Sequence, residues 1–183
     1  MKKNRPFISF VIILASFVCF SGDMIGEDLI KLGSAISFTG KHSRSGKLYI
    51  DSYKLAVDTI NNKGGVRIGN KFYKLKLIFY DDRSDATESS KLVEKLIGKD
   101  KVNFLLGPYS SGITIPDSLI ARRYRIPMIE GGGASEKIFS KNNKYIFGLL
   151  PEAGEYFKST LKFLKTKGMM RDENLLFLIL AIF

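Results

Sequence analysis

The chain of 183 residues contains one cysteine and one histidine. With a single thiol, Cys19, no intramolecular disulfide can form, and the fold must rest on packing. A lone histidine, His42, leaves no second imidazole for a metal cluster. The sequence has no self-similar repeat at periods of about 20 to 50 residues. It also lacks a basic block and an aromatic-rich RNA-binding signature, although its formal charge is +11. Its lysines are scattered over predicted helix faces and turns, so the excess reads as solvated surface and no nucleic-acid partner is expected.

Apolar residues make up 45% of the chain, enough to bury the core of one ordinary domain. The beginning stands apart. Lys2, Lys3 and Arg5 precede an almost uncharged run of 14 residues from Phe7 to Phe20, followed by the small residues Ser21 and Gly22. A spanning helix needs roughly 20 apolar residues, so residues 1–21 read as a secretory signal peptide, with an uncleaved signal anchor as the rival. Cys19 sits where a lipid-modified cysteine would lie, but Ser16, Phe17 and Val18 do not supply the small residue usual just before one. The product is expected outside the cytoplasm, periplasmic or extracellular, free or anchored through Cys19 or the leader.

Beyond the leader, strand-like and helix-like stretches alternate. "IKLGSAISF" is β-type and ends at the loop "TGKHSRSG". Between Lys47 and Asn61, Leu48, Tyr53, Ala56, Val57 and Ile60 recur at helical spacing, and "NNKGG" stops the helix. "VRIGNKFY" predicts a tight hairpin at Gly69 and Asn70, leading into the strand "KLKLIFYDD". Asp85 and Glu88 have capping-box spacing before an apolar face of Leu92, Val93, Leu96 and Ile97. The strand "VNFLLG" precedes a helix from about Gly112 to Tyr124, in which Pro116 is tolerable only in the first turn. "IPMIE" and "KYIFGLL" are further strands, and Pro151 is expected to open a helix striped by Ala153, Tyr156, Phe157, Leu161 and Leu164. Such alternation predicts an α/β, doubly wound parallel sheet with ligand loops at the strands' carboxyl ends.

Three loops leave that edge: Thr39 to Gly46, Gly107 to Gly112, and Gly131 to Glu136. "GPYSSG" has P-loop glycine spacing and is followed by Ile113 and Thr114, so the lysine that a nucleotide site needs is missing. It does not meet the G-x-S-x-G elbow of a serine hydrolase either, and His42 lies in another loop. Ser110 and Ser111 remain as hydroxyls at a strand-to-helix junction, where free N–H groups attract a carboxylate and where serine also serves as an ordinary N-cap. Gly131 to Gly133 imply close approach or positive φ, with a plain connector as the alternative. Ser135 adds a hydroxyl at a neighbouring strand end. Asp81 and Asp82 close a strand, and a metal-dependent α/β hydrolase using them is the reading from another class; a polar strand end before a capped helix accounts for them without chemistry.

The stretches "GSAISFTGKHSRSG", "SYKLAVDTINNKGGV", "LIFYDDRSDATESSKLVEKLI", "VNFLLGPYSSG", "IPMIEGGGASEKIF" and "YIFGLLP" together resemble the type I periplasmic substrate-binding proteins of ABC importers, in particular the branched-chain amino-acid-binding group. The likeness covers about residues 30 to 165. It implies two α/β lobes that close on a small polar solute, such as an amino acid, amide or small carboxylate, a membrane permease as partner, and no catalysis, cofactor or metal. It also implies that Ser110 and Ser111 contact the ligand's carboxylate, that Gly133, Ala134 and Ser135 contact its α-carboxylate and ammonium, and that Ser45 lines the cleft. An extracellular sensor domain built on the same lobe is the related alternative. On this likeness, residues 29–150 form an incomplete N-terminal ligand-binding lobe, and 151–183 begin a second lobe that is cut short. Weak or no binding is therefore expected of the isolated product, and the apolar end Leu175 to Phe183 is expected to favour association.

Overall fold

The computed structural model describes residues 29–139 and 143–168. The expected signal peptide, Cys19 and the apolar end from Leu175 lie outside the described residues.

β1 (Leu29–Ile36) enters the middle of the sheet, and the chain returns through α1 (Ser43–Asn62) to the hairpin of β2 (Val66–Ile68) and β3 (Lys71–Asp81). Pairing of Ile68 with Lys71 leaves Gly69 and Asn70 as the two-residue turn that the sequence predicts. The Asn61 side chain bonds both the N–H and the C=O of Leu75, two residues past Tyr73, where the pairing of β3 with β2 ends. α2 (Ala86–Gly98) begins at Asp85, whose carboxylate accepts the Glu88 N–H at 2.7 Å. β4 (Phe104–Leu106), α3 (Ser111–Tyr124), β5 (Met128–Glu130) and β6 (Ile146–Gly148) follow.

The strand order is β2-β3-β1-β4-β5-β6, with β2 antiparallel and the other neighbours parallel. The predicted doubly wound α/β sheet is therefore present. After β3 the chain crosses back past β1 to place β4 on its other side, so connections from β1 and from β4 leave in opposite directions. Between such strands a crevice opens at the carboxyl edge.

Alternation of side chains divides the sheet into two faces. Ala35, Leu105, Met128 and Ile146 join Val93 and Leu96 of α2 and Ile120 and Ala121 of α3 in one buried cluster. Ile36, Leu106 and Val57 of α1 are buried outside it. Phe104, Ile129 and Phe147 alternate with the cluster residues and are exposed.

Two local expectations are corrected. Pro116 sits in the second turn of α3, because the helix starts at Ser111. The segment after Pro151 is a 3-10 turn (Ala153–Glu155) followed by the short α4 (Lys158–Thr166). No residue of α4 is buried, and Tyr156 and Phe157 are about half exposed, so the predicted apolar stripe has no core to face among the described residues.

Candidate functional site

The loop after β1 is held by the end of β3. Asp81 accepts N–H groups from Phe38, Thr39 and Arg83 and the Thr39 hydroxyl, at 2.8 to 3.2 Å. Burial pushes its carboxyl up, but the bonds from Thr39, Arg83 and Phe38 outweigh that and hold it below the usual carboxylate range. Asp82 is fully buried and accepts the Ser37 hydroxyl and the Ser84 N–H. Burial raises its carboxyl despite those bonds. These two acids are thus structural ties between β1 and β3. Among the described residues no group of three or more His, Cys, Asp or Glu is arranged to hold a metal ion.

At the crevice between β1 and β4, the rings of His42 and Tyr109 meet edge to face with centroids 5.5 Å apart. Tyr49 of α1 lies 6.0 Å from Tyr109 and donates its hydroxyl to the Gly131 carbonyl. Tyr53, one turn on, donates to the Gly107 carbonyl. Two loop carbonyls beside the switch point are therefore fixed by tyrosines of the helix that follows β1. The sequence reading missed Tyr49, Tyr53 and Tyr109. Their i, i+4 spacing on α1 and the tyrosine centred in "GPYSSG" were the available signals.

The loops after β4 and β5 are joined directly. The Ser111 hydroxyl oxygen accepts the N–H groups of Ala134 and Ser135, each at 3.2 Å. Ser111, Ala134 and Ser135 then line one open cleft of about 400 Å³ with Glu136, Lys137, Ala153 and Gly154. Three of the expected site residues are thus brought together. Gly133 is buried beneath them, and Ser110 does not line the cleft. Ser45, half-buried in the first turn of α1, is also absent from its lining.

Ser110 precedes α3 with φ +84° and makes no side-chain cap bond. Its carbonyl accepts the N–H groups of Ile113 and Thr114 as well as the Thr114 hydroxyl. Those are the ordinary first bonds of the helix, so Ser110 supplies no hydroxyl cap, and the N–H groups of Ser111 and Gly112 keep no acceptor within the described chain. The three glycines resolve individually. A Cβ on Gly132 would lie 2.7 Å from the Pro108 carbonyl oxygen, and one on Gly133 2.5 Å from Ile138 Cδ1, whereas Gly131 has room. Close approach, not positive φ, explains the last two.

The backbone N–H groups expected to meet a ligand are already engaged. Those of Gly132 and Gly133 go to Glu130, and those of Ala134 and Ser135 to Ser111. Beside the Glu136 carboxylate at its rim, the cleft presents the Ser111 and Ser135 hydroxyl hydrogens and the Lys137 side chain. That set donates hydrogen bonds and suits an anionic or carbonyl oxygen.

Comparison with known proteins agrees with this geometry. Residues 29–173 match the family described as periplasmic binding protein. The leucine-, isoleucine-, valine-, threonine- and alanine-binding protein of Pseudomonas aeruginosa is 26% identical over 181 residues, covering 95% of this chain and 47% of its own length. A solute binding protein of an ABC transporter from Rhodopseudomonas palustris, solved with 3,4-dihydroxybenzoic acid, is 25% identical with a TM-score of 0.58, over 69% of this chain and 33% of that one. The branched-chain amino acid transporter substrate binding protein LivJ from Streptococcus pneumoniae, solved with isoleucine, shares the fold at a TM-score of 0.62 and 24% identity, over 74% of this chain and 39% of that one. The chain thus spans less than half the length of these relatives. The hydrolase reading of Asp81 and Asp82 is overturned on both counts, since their oxygens hold the first loop and the matched family is not enzymatic. A match from β1 to beyond α4, on a sheet whose switch-point loops meet at Ser111, places this chain in the periplasmic binding protein family of extracytoplasmic solute-binding proteins.

Proposed function

We propose that the chain supplies one ligand-contacting lobe of an exported solute-binding component of an ABC transporter, for a small solute bearing a carboxylate. The observation that carries the reading is the pair of hydrogen bonds from the Ala134 and Ser135 N–H groups to the Ser111 hydroxyl oxygen, which joins two strand-end loops into one surface carrying the Ser111 and Ser135 hydroxyls. Ser111 and Ser135 face the solute in this reading. Ser110 and Gly133 shape the surface from beneath, and Ser45 belongs to the first loop. Residues 29–150 form the N-terminal lobe in this reading, and 151–183 begin a second one. Export through residues 1–21, retention through Cys19 or the leader, and delivery to a membrane permease complete the proposal. Relatives named for aliphatic amino acids and a neighbour solved with a dihydroxybenzoate mark the two solute classes to test first.

One lobe offers one wall, so the expected affinity is weak, on the order of millimolar, equivalent to about 4 kcal/mol. Amide resonances of the 183-residue chain, followed by NMR during titration with leucine and separately with 3,4-dihydroxybenzoate, resolve binding that weak. Shifts centred on Ser111, Gly112 and Ser135, reduced in Ser135→Ala, are expected. Saturable shifts confined to another surface, or none with either solute, would overturn the reading.

A further inference from the structure

Glu130 ends β5, where a carboxylate ordinarily meets water, yet it is 1% exposed. Its Oε1 accepts the N–H groups of both Gly132 and Gly133. Its Oε2 has no hydrogen-bond partner among the described residues and packs against the backbone of Gly107, where a Cβ would lie 1.8 Å away. From α3, Asp117 brings a second buried acid, with Asp82 acting on Asp117 in turn, while the nearby Thr114 hydroxyl is donated to the Ser110 carbonyl. From α1, Tyr49 and Tyr53 feel its charge. No lysine or arginine is among the groups acting on it.

This arrangement is bistable in charge. A buried carboxylate with one bare oxygen is costly, and burial pushes the group up to about 7 against the pull of the Gly132 and Gly133 N–H bonds. In either state Oε1 remains an acceptor, but a charge-assisted N–H bond is roughly twice as strong as a neutral one. The grip on Gly132 and Gly133 therefore changes with one proton. Those glycines lead directly into Ala134 and Ser135, which are bonded to Ser111.

Resting on the solute-binding reading, we propose that Glu130 is the positioning residue of the binding surface, and that protonation of its buried carboxyl sets how firmly the Gly131–Ser135 loop is held against Ser111. Ionised, it tightens the loop while placing a second negative charge behind any carboxylate docked there. Neutral, it loosens the loop and removes that repulsion.

The test is an amide NMR pH titration of the 183-residue chain without solute, comparing the native protein with Glu130→Gln. Gln retains an acceptor oxygen for both glycines but carries no titrating proton. In the native chain the Gly132 and Gly133 amide protons are expected to move downfield together as pH rises, with a midpoint near 7, and Ala134 and Ser135 to follow. In Glu130→Gln those movements are expected to vanish. A flat native titration, a midpoint in the ordinary carboxylate range, or movements that persist in the variant would overturn the proposal. If the variant does not fold, the side-chain carboxyl carbon shift of Glu130 in the native chain reads the same midpoint. Because no solute is present, the titration stands or falls separately from the shifts caused by leucine or 3,4-dihydroxybenzoate.

Discussion

The Ser111 hydroxyl oxygen stands 3.2 Å from the backbone nitrogen of Ser135, across the gap between the loops that leave β4 and β5. The two serines are not equivalent. The Ser111 hydroxyl oxygen bonds two N–H groups of the neighbouring loop, whereas the Ser135 hydroxyl oxygen accepts only the N–H of Lys137, at 3.4 Å. Ser111→Ala should therefore cost stability, about 1 to 2 kcal/mol from partly buried donors left without an acceptor. Ser135→Ala should cost little and act on solute contact. Urea unfolding of both variants checks this, and equal losses would count against the link between the loops.

Ser110 carries a different signature. At φ +84° a residue with a Cβ is strained by about 1 to 3 kcal/mol, and neither a cap bond nor deep burial of its side chain compensates. Ser110→Gly removes the Cβ that causes the strain, at the cost of extra freedom in the unfolded chain. A net gain of about 1 kcal/mol is expected, read as a higher unfolding midpoint. A loss would mean that the hydroxyl holds something the described contacts do not include.

Legibility followed the range of the interactions. The Asp85 cap, the Gly69–Asn70 hairpin and the helix from Lys47 depend on residues a few positions apart, and the sequence displays them. The doubly wound sheet followed from alternation, but the strand order, and with it the switch point beside β1 and β4, depends on long-range pairing that no local pattern displays. Glu130 was illegible because an acid at a strand end looks solvent-facing until Gly107 from another strand closes over it. Tyr49 looked like one more aromatic residue on a helix, since its acceptor, Gly131, is 82 residues away. The stripe through Tyr156 and Leu161 misled for the opposite reason: periodicity marks an apolar face, not a surface for it to cover.

Asp117 makes stability depend on pH. It is fully buried, accepts the hydroxyls of Ser89 at 2.6 Å and Ser90 at 3.2 Å, and burial still raises its carboxyl from 3.8 to about 7. Between those values the folded chain holds a proton that the unfolded chain releases, so stability falls as pH rises. The slope is about 1.4 kcal/mol per pH unit for one such proton, and it levels off above the folded value. Asp117→Asn has no proton to lose and should flatten the decline by that slope, leaving what Glu130 and Asp82 contribute. Urea midpoints measured across the acidic to neutral range decide it. Parallel curves for the two proteins would show that Asp117 is already ionised in the folded state.

Gly107 tests whether the Glu130 carboxyl lies where the positioning argument needs it. An added Cβ would stand 1.8 Å from Oε2 and 2.7 Å from Cδ, and also 3.2 Å from the Glu130 Cα. The carboxyl has little retreat, because its other oxygen is held by Gly132 and Gly133 and the residue is buried. Gly107→Ala should therefore cost about 2 kcal/mol or more, as overpacking does. Gly98→Ala is the matched control: it ends α2, its added Cβ meets nothing within 4 Å, and it should gain up to about 1 kcal/mol. In the double variant Gly107→Ala, Glu130→Ala the clash is gone, so the combined loss should fall short of the sum of the single losses. Additive losses in urea unfolding would place the carboxyl away from Gly107 and leave the Gly131–Ser135 loop to some other support.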